Sequence, residues 1–440
     1  MTQHLFSEFK PVTAAEWKAQ LAKDLKGTDI ESLVWKNENG FDIQPFYTSE
    51  DLHLSYQPAF THTDWDICVA GKSKDAKILN QQLLQNLNGG ATGISVECND
   101  LDLATALQNV QLNYIHSTFY ISEKKIHALK SLLEKSYDLN ELHCTLFPEK
   151  ALSTLQELTD WLQAVRVFKD YKYMKALTLD ALPLHNQNGF ASYEVAVILS
   201  GLNEYLNAVS KNDQPTSSFV IKTGVNSDYF IQIAKLRAIR RVWKLLAANY
   251  EISTPLHIIV ETSSTNKSLS DKYTNLLRTT VEAMAAVSGG CNELIVTEFD
   301  LLFPSDPIRS QRMAINQQLI LKEESYFDKV ADVACGSYYI ESITDAIATD
   351  ALETMKQFER EGGYFKCLEK NSFEEAIKEQ AQQHETALNA GEQISIGVTK
   401  FRNEKEVIGL NKNDVERLKH LSVTNPVLKF ELDHFFKHHA

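Results

Sequence analysis

A repeated alternation of short apolar runs with longer helical segments constrains this chain more than any other feature of its sequence. The alternation begins at Trp65 and continues through residue 297. The apolar runs cover residues 65–69, 93–97, 112–120, 142–147, 175–180, 218–223, 256–261 and 293–297. Strands that alternate with helices build parallel sheets, and eight of them close most economically into a barrel. We therefore predict an α/β fold, a (βα)8 TIM barrel.

An open, doubly wound sheet is the alternative architecture. Such a sheet binds nucleotides through a glycine-rich turn after its first strand. The corresponding turn here reads VAGKSKDAK and contains neither G-x-G-x-x-G nor a phosphate loop. The barrel is therefore favoured, and with it a candidate site at the carboxyl ends of the strands.

The last repeat, RTTVEAMAAVSGGCNELIVT, shows how a helix is joined to the next strand. Val281, Met284 and Val287 recur at helical spacing, and an apolar strand follows at residues 294–296. Gly289 stands where a left-handed residue usually ends a helix. We expect this turn to close the barrel at its eighth strand.

Residues 1–60 precede the alternation and have a different character. Thr13 followed by Glu16 is a capping-box pattern that predicts a short helix. Residues 31–47 predict a hairpin around Asn39-Gly40, a pair favoured in two-residue turns. One helix and one hairpin cannot bury the large aromatic residues of this segment among themselves. These residues are Phe6, Trp17, Trp35, Phe46 and Tyr47.

We therefore expect residues 1–60 to form an arm that contacts a partner subunit. The alternative is that the arm folds back on its own barrel. Residues 61–400 then form one domain, made of the barrel and the helices that follow it. Residues 401–440 are expected to form a helical tail.

Composition excludes several classes of protein. The formal charge of −14 argues against a nucleic-acid partner, because binding to phosphates requires clustered Lys and Arg. The six cysteines are scattered singly, which favours a reduced, cytoplasmic protein. We find neither a signal-peptide pattern nor an apolar run of about 18 residues, so we expect no membrane contact.

Three polar residues lie at the predicted carboxyl ends of strands. His185 follows the fifth strand, Asp180 ends that strand and Glu261 ends the seventh. Each has an ordinary alternative role, as a loop histidine or as a carboxylate that caps a helix. The basic run KLRAIRR, residues 235–241, lies on a predicted outer helix and is expected to be solvated or to contact another subunit. No sequence motif for a metal site occurs.

Several motifs resemble those of the methylmalonyl-CoA mutase family, in the same order along the chain. They are RTTVEAMAAVSGGCNELIVT, RMAINQQLILKEES, DVACGSYYIESIT, EREGG and IGVTKFRNEKE. The opening segments EWKAQLAKDLKG, LVWKNENGFDIQPFY and TDWDIC are similar to the small (beta) subunit of the heterodimeric bacterial enzymes in particular. The resemblance covers nearly the whole chain.

The resemblance implies a barrel that encloses an acyl-CoA. In catalytic subunits a further C-terminal domain binds adenosylcobalamin through a D-x-H-x-x-G loop. This pattern does not occur here, so we expect no cobalamin-binding domain in this chain. Adenosylcobalamin is then expected on a large (alpha) subunit, the heterodimer partner, and not on this chain.

The residues at the family's catalytic positions differ here. Ala70 takes the place of the strand-one tyrosine that helps to start the radical, and Cys68 takes the place of an arginine. With Gly189 as the anchor of the alignment, Leu184 falls at the position of the catalytic histidine, and His185 is its neighbour. We therefore expect no catalytic residue in this chain.

Substrate-binding positions differ as well. Gln57 and Pro58 replace the R-G-P-Y segment that binds CoA, and Thr216 replaces an arginine, although Ser218 is retained. Each lost charge-assisted hydrogen bond is worth roughly 1.5–3 kcal/mol. His185 and Ser218 remain as weak substrate contacts, and we expect no metal site.

The resemblance thus implies a non-catalytic subunit that stabilises the large subunit of a mutase of propionate metabolism. The mutase interconverts methylmalonyl-CoA and succinyl-CoA. One alternative is the acyl-CoA-binding barrel of a split mutase whose cobalamin-binding chain is separate. Another is a barrel enzyme of different chemistry that uses His185, Asp180 and Glu261.

Overall fold

The computed structural model describes residues 8–37, 40–51, 57–98, 100–209, 218–303, 306–402 and 412–434. Two short antiparallel strands lie in the N-terminal arm, and a parallel barrel follows. The arm strands are β1 (Trp35–Lys36) and β2 (Asp42–Ile43). The barrel strands are β3 (Asp66–Gly71), β4 (Gly93–Glu97), β5 (His116–Ile121), β6 (His143–Pro148), β7 (Met174–Lys175), β8 (Thr178–Asp180), β9 (Val220–Val225), β10 (His257–Thr262) and β11 (Glu293–Ile295).

The barrel is closed by a strand that is broken into two parts. The order across the sheet is β7-β6-β5-β4-β3-β11-β10-β9-β8. Because β7 and β8 are the two halves of the predicted fifth strand, this sheet is an eight-stranded barrel. At the break the carbonyl of Ala176 accepts a hydrogen bond from the Trp161 indole, at 2.9 Å. The hydroxyl of Thr178 donates to the carbonyl of Leu146 at 2.7 Å and joins β8 to β6.

All eight predicted strands are present, and the barrel is confirmed. The third strand is shorter than predicted, because residues Leu112–Tyr114 form a turn of 3-10 helix before the ladder begins at His116. The sixth starts at Val220, so Ser218 precedes it.

Helices surround the barrel and continue after it. They are α1 (Ala14–Asp24), α2 (Ala76–Asn88), α3 (Leu103–Ala106), α4 (Ile126–Glu134), α5 (Leu155–Val165), α6 (Leu182–His185), α7 (Ala191–Ala208), α8 (Tyr229–Ala248), α9 (Lys272–Ser288), α10 (Pro307–Leu319), α11 (Tyr338–Glu361), α12 (Tyr364–Glu369), α13 (Ser372–Ala390), α14 (Lys412–Leu421) and α15 (Pro426–His434). Asp75, Thr154 and Asp271 cap α2, α5 and α9 through their side chains. The main core lies between the strands and these helices.

The turn between α9 and β11 has the predicted form, shifted by one residue. Gly289 has a right-handed φ of −83°, and the left-handed residue is Gly290, with φ +83°. The amide of Cys291 donates to the Ala286 carbonyl, and the amide of Gly290 donates to that of Val287, at 3.1 and 3.0 Å. This is a Schellman motif, in which the left-handed residue lies one position beyond the cap. A side chain on Gly290 would also overlap the Phe60 ring.

The N-terminal arm is only partly packed on the barrel. The capping box of Thr13 and Glu16 is present, but α1 has no buried residue. The two strands of the hairpin are present as well. Lys36 pairs with Asp42, so the connection between the strands is residues 37–41 and not the two-residue turn that was predicted. Of the turn pair, Asn39 lies outside the described residues, as does Phe6 of the aromatic set.

The end of the hairpin does reach the barrel. Ile43 is buried in the main core, and the Tyr47 ring lies 5.9 Å from that of Tyr339 on α11. Trp17 instead stacks on Phe46 at 4.8 Å, and Phe46 stays half-exposed.

The basic run 235–241 is not solvated, and that expectation was wrong. Lys235 and Arg237 are fully buried on α8. Arg237 pairs with Asp332 and with Glu341 of α11, at 2.8 and 2.7 Å. The helices after the barrel pack over α8, so this face lies between two layers of helix and its charges are paired there.

The described part of the C-terminal tail forms α14 and α15, and it packs on the loops at the carboxyl end of the barrel. Glu431 of α15 accepts hydrogen bonds from the amides of Leu269 and Ser270, at 2.7 and 3.0 Å. Leu418 and Leu428 are buried against this loop and the one that follows β11. The tail therefore covers part of the rim where barrels keep their sites.

Candidate functional site

The side chains inside the barrel form three layers, because alternate residues of each strand point inward. The lowest layer, at the amino ends of the strands, is a polar network. His257 Nε2 donates to Glu293 at 2.7 Å, and Lys175 Nζ lies 3.2 Å from His257 Nδ1. His116 lies between Glu293 and Asp66, at 3.5 and 3.3 Å.

The charges of this lowest layer are fixed by burial and by hydrogen bonds. Burial lowers the pKa of His257 to about 4, so the ring is neutral. Burial alone would raise the pKa of Glu293, but hydrogen bonds from His116 and His257 hold it well below its ordinary value. The carboxylate is therefore ionised and anchors the network.

The middle layer is apolar. Its five buried members contact one another across the barrel axis: Cys68, Phe147, Val220, Ile259 and Ile295. Ala70 packs against this layer. The axis at this level is a packed core, as in barrels whose interior is filled by side chains.

The upper layer brings together the two carboxylates that the sequence singled out. Tyr120 donates to Asp180 at 3.0 Å, and Lys222 pairs with Glu261 at 2.9 Å. The Lys222 ammonium also lies over the Tyr120 ring, 5.5 Å from its centre. Burial would lower the pKa of Lys222, but Glu261, Tyr120 and Asp180 raise it above its ordinary value. Lys222 is therefore a fixed cation on the axis.

Asp180 also binds the backbone just before a helix, although Ala181 is the N-cap residue of that helix. Its Oδ1 accepts the amide of Leu182 at 2.9 Å, at the start of the short helix α6. Burial raises the pKa of Asp180. Glu261 does not cap a helix and pairs with Lys222 instead.

His185 is buried beside a second ion pair. Its Nδ1 lies 3.1 Å from Oε2 of Glu194 on α7, and Lys235 of α8 donates to the same oxygen at 2.8 Å. Lys235 also donates to the Gly224 carbonyl at 2.7 Å, and Thr223 bonds the other carboxylate oxygen. The Lys235–Glu194 pair therefore joins β9 to α7 and α8, and His185 packs beside it.

The pKa values of this cluster follow from its burial and its charges. Burial and the charge of Lys235 lower the pKa of His185, so the ring is neutral. Burial would raise the pKa of Glu194, but Lys235 and His185 lower it to about 2.

The other positions expected from the sequence do not form one site with His185. Ser218 precedes β9 at the amino end of the barrel, whereas His185 lies beside Gly224 near the carboxyl end of the same strand. Leu184 packs against the outer core. The side chains of His185, Leu184 and Ser218 therefore do not meet at one site.

Sequence reasoning missed Lys222 and the lowest polar layer. Their signal is a polar residue at an inward position of an otherwise apolar strand, as in HSTFY, HCTLF and HIIVE. Alternation of inward and outward positions would have placed these residues on the axis.

Comparison with known proteins agrees with this architecture. The family model for methylmalonyl-CoA mutase matches residues 133–425. The chain belongs to the methylmalonyl-CoA mutase family. It is 29% identical over 450 residues to the methylmalonyl-CoA mutase small subunit of Porphyromonas gingivalis, covering 92% of this chain and 72% of that protein.

Longer members of the mutase family are also similar. The mitochondrial methylmalonyl-CoA mutases of Bos taurus and Homo sapiens are 27% and 26% identical, each over 92% of this chain. The match covers 62% of each of these relatives, so the chain spans less than two thirds of their length.

Adenosylcobalamin, which the mutase family implies, does not fit the carboxyl end of this barrel. Ala70 supplies only a methyl group. Lys222 is paired with Glu261, and Asp180 accepts a hydrogen bond from Tyr120, so both polar groups already have partners on the axis. Among the described residues, no group of His, Cys, Asp or Glu side chains is arranged to hold a metal ion. Within the same residues, no helix is long and apolar enough to span a membrane.

Proposed function

We propose that this chain is the non-catalytic small subunit of an adenosylcobalamin-dependent methylmalonyl-CoA mutase. It acts in the cytoplasm as a heterodimer with a large subunit, which binds the cofactor and interconverts methylmalonyl-CoA and succinyl-CoA in propionate metabolism. The family match and the similarity to a small subunit support this proposal.

The observation that carries the proposal is the filled axis of the barrel. An acyl-CoA that entered along the axis would have to displace the apolar layer of Cys68, Phe147, Val220, Ile259 and Ile295. It would also have to separate Lys222, which is buried, from the partly exposed Glu261. A buried cation that loses its partner is left without compensation. The large subunit therefore has to supply the acyl-CoA site.

Calorimetric titration of the purified chain with methylmalonyl-CoA tests this function. We expect no heat of binding at micromolar concentrations, because the axis is closed and the family's substrate cations are replaced. The assembled complex, titrated in the same way, is the positive control. Micromolar binding to this chain alone would instead favour the acyl-CoA-binding barrel of a split mutase.

A further inference from the structure

Four large apolar side chains stay exposed in the segment that leads from α10 to the start of α11. They are between 41% and 62% exposed, and we call them the outer strip: Tyr326, Val330, Val333 and Tyr338. A single exposed apolar residue is ordinary on a protein surface, but several along one short segment are typical of an interaction site.

Other side chains hold this segment on the barrel. Phe327 packs against the main core, and Ala334 and Ile340 pack with Ile233 of α8 and Ala285 of α9. These anchors alternate along the segment with the exposed members of the outer strip. The outer strip is therefore on the outward side of the segment and is not needed to attach it.

The backbone is irregular where the outer strip begins. Residues Ile320–Glu324 form a turn of π-helix, and the amide of Ser325 donates to the carbonyl of Ile320 at 2.9 Å. Tyr326 follows with a left-handed φ of +58°, which is rare for an aromatic residue. Both features are frequent at functional sites. Because the Tyr326 ring is exposed, its packing within this chain does not offset the strain.

The outer strip lies beside the N-terminal arm. The Tyr47 ring lies 5.9 Å from that of Tyr339, and the amide of Ala59 donates to Asp332 at 2.7 Å. Tyr339 and Asp332 are each next in sequence to a member of the outer strip. Phe46, which is half-exposed, is next in sequence to Tyr47. The exposed surfaces of the arm and of the outer strip are therefore neighbours.

The exposed aromatic area of the arm is small for a stable complex. If a fully exposed aromatic side chain offers about 150–250 Å², the half-exposed Trp35 and Phe46 together offer about 200 Å². A specific interface buries about 800 Å² on each partner. Tyr326 and Tyr338 offer about the same area again, and the two valines add to it. A partner that covers both surfaces comes closer to the area that a stable complex requires.

We propose that the outer strip is part of the surface that binds the large subunit, next to the arm. This rests on the proposed function, which gives the chain a large subunit as its partner. A second copy of this chain is the competing occupant, but two chains with a formal charge of −14 each repel one another. Asp328 and Lys329, which pair at 2.6 Å, belong to the polar rim of the interface.

Surface plasmon resonance of the full chain on immobilised large subunit tests the proposal. We expect Val330→Ser/Val333→Ser to weaken binding at least about tenfold, because both valines lose apolar contact. The matched control is Leu155→Ser/Val423→Ser, at two exposed apolar positions elsewhere, and it should bind as the wild type does. Equal affinity of Val330→Ser/Val333→Ser and the wild type would overturn the proposal. A wild type that does not bind the large subunit would overturn the proposed function, and this inference with it.

Tyr326→Gly separates binding from folding. Glycine adopts the left-handed φ without strain, so the urea midpoint of unfolding should be no lower than that of the wild type. Loss of the ring should still weaken binding to the large subunit at least about tenfold. A lower midpoint with unchanged affinity would show that Tyr326 serves only the fold, against the proposal.

Sedimentation of the chain alone tests the competing occupant. We expect the wild type and Val330→Ser/Val333→Ser to sediment alike, as monomers. A wild-type dimer that the two substitutions abolish would place a second copy on the outer strip and would overturn the proposal.

Discussion

At the scale of single residues, this protein places charged side chains in its interior and pairs them there. Lys235 with Glu194 and Lys267 with Glu282 are buried pairs. Such pairs contribute little net stability when intact, but removing one partner leaves a buried charge without compensation. They therefore act mainly by fixing how the helices α7, α8 and α9 sit on the barrel.

Lys235→Met tests this for the pair beside His185. We expect it to lower the free energy of unfolding by about 3–5 kcal/mol, because Glu194 stays buried without its cation. The double variant Glu194→Gln/Lys235→Met should recover most of that loss, since it removes both charges. Urea unfolding of the wild type and of both variants measures this. Equal stability of Lys235→Met and the wild type would contradict the expectation.

The pH dependence of the same pair follows from the pKa of Glu194, which is lowered from 4.5 to about 2. A lowered carboxyl pKa contributes stability that is present above pH 4.5 and is lost as the pH falls toward 2. At 1.36 kcal/mol per pKa unit, this contribution is about 3 kcal/mol. The wild type should therefore lose more stability between pH 5 and pH 3 than the double variant does. Glu375→Gln, at an exposed position of α13, is the matched control and should behave as the wild type.

At the scale of elements, the joint between α9 and β11 links the barrel to the arm. Phe60 is buried against Gly290, and the His62 ring lies 3.2 Å from the carbonyls of Gly290 and Cys291. The left-handed glycine therefore ends a helix and also leaves room for an aromatic ring from the arm. Neither function tolerates a side chain.

Gly290→Ala separates these two functions when it is compared with Gly391→Ala. Both glycines have a left-handed φ, but only at Gly290 would the new methyl group meet another residue. We expect Gly391→Ala to cost about 1–2 kcal/mol from backbone strain alone. Gly290→Ala should cost more, because Phe60 must move. In a Phe60→Ala background the excess should disappear, and its persistence in a double-mutant cycle by urea unfolding would argue against the contact.

At the scale of the whole molecule, the arm presents aromatic surface that its own barrel does not cover. Trp35 and Phe46 are 50% and 52% exposed, and α1 buries no residue. Ile43 and Tyr47 meanwhile hold the base of the hairpin on the barrel. Exposed aromatic residues beside an anchored base are typical of a docking surface, and we propose that the large subunit covers it.

Trp35→Ser and Phe46→Ser, made singly, test the docking surface while the anchored residues stay in place. Each should weaken binding to the large subunit by at least about thirtyfold, because a central aromatic residue at an interface contributes about 2 kcal/mol or more. Tyr114→Ser is the control, since Tyr114 is 80% exposed on the barrel itself. Surface plasmon resonance with immobilised large subunit gives the affinities. Affinities equal to that of the control would place the interface elsewhere on the chain.

The sequence by itself determined the fold and its order, because the signals for both are local. Alternating apolar and helical segments predicted all eight strands, and the caps of α1 and α9 were readable from Thr13 and the glycine pair. The family followed from ordered motifs and was confirmed by the match over residues 133–425. These features depend on residues within a few positions of one another.

Only the tertiary structure decided what fills the barrel and which charges are buried. The run KLRAIRR looks like a solvated surface until α11 covers it, and Arg237 finds Asp332 and Glu341 at separations of 95 and 104 residues. Likewise, His185 is buried beside Glu194 and Lys235, and Lys235 is 50 residues away on another helix. Burial and pairing depend on which distant segments pack together, and a local pattern in the sequence does not contain that information.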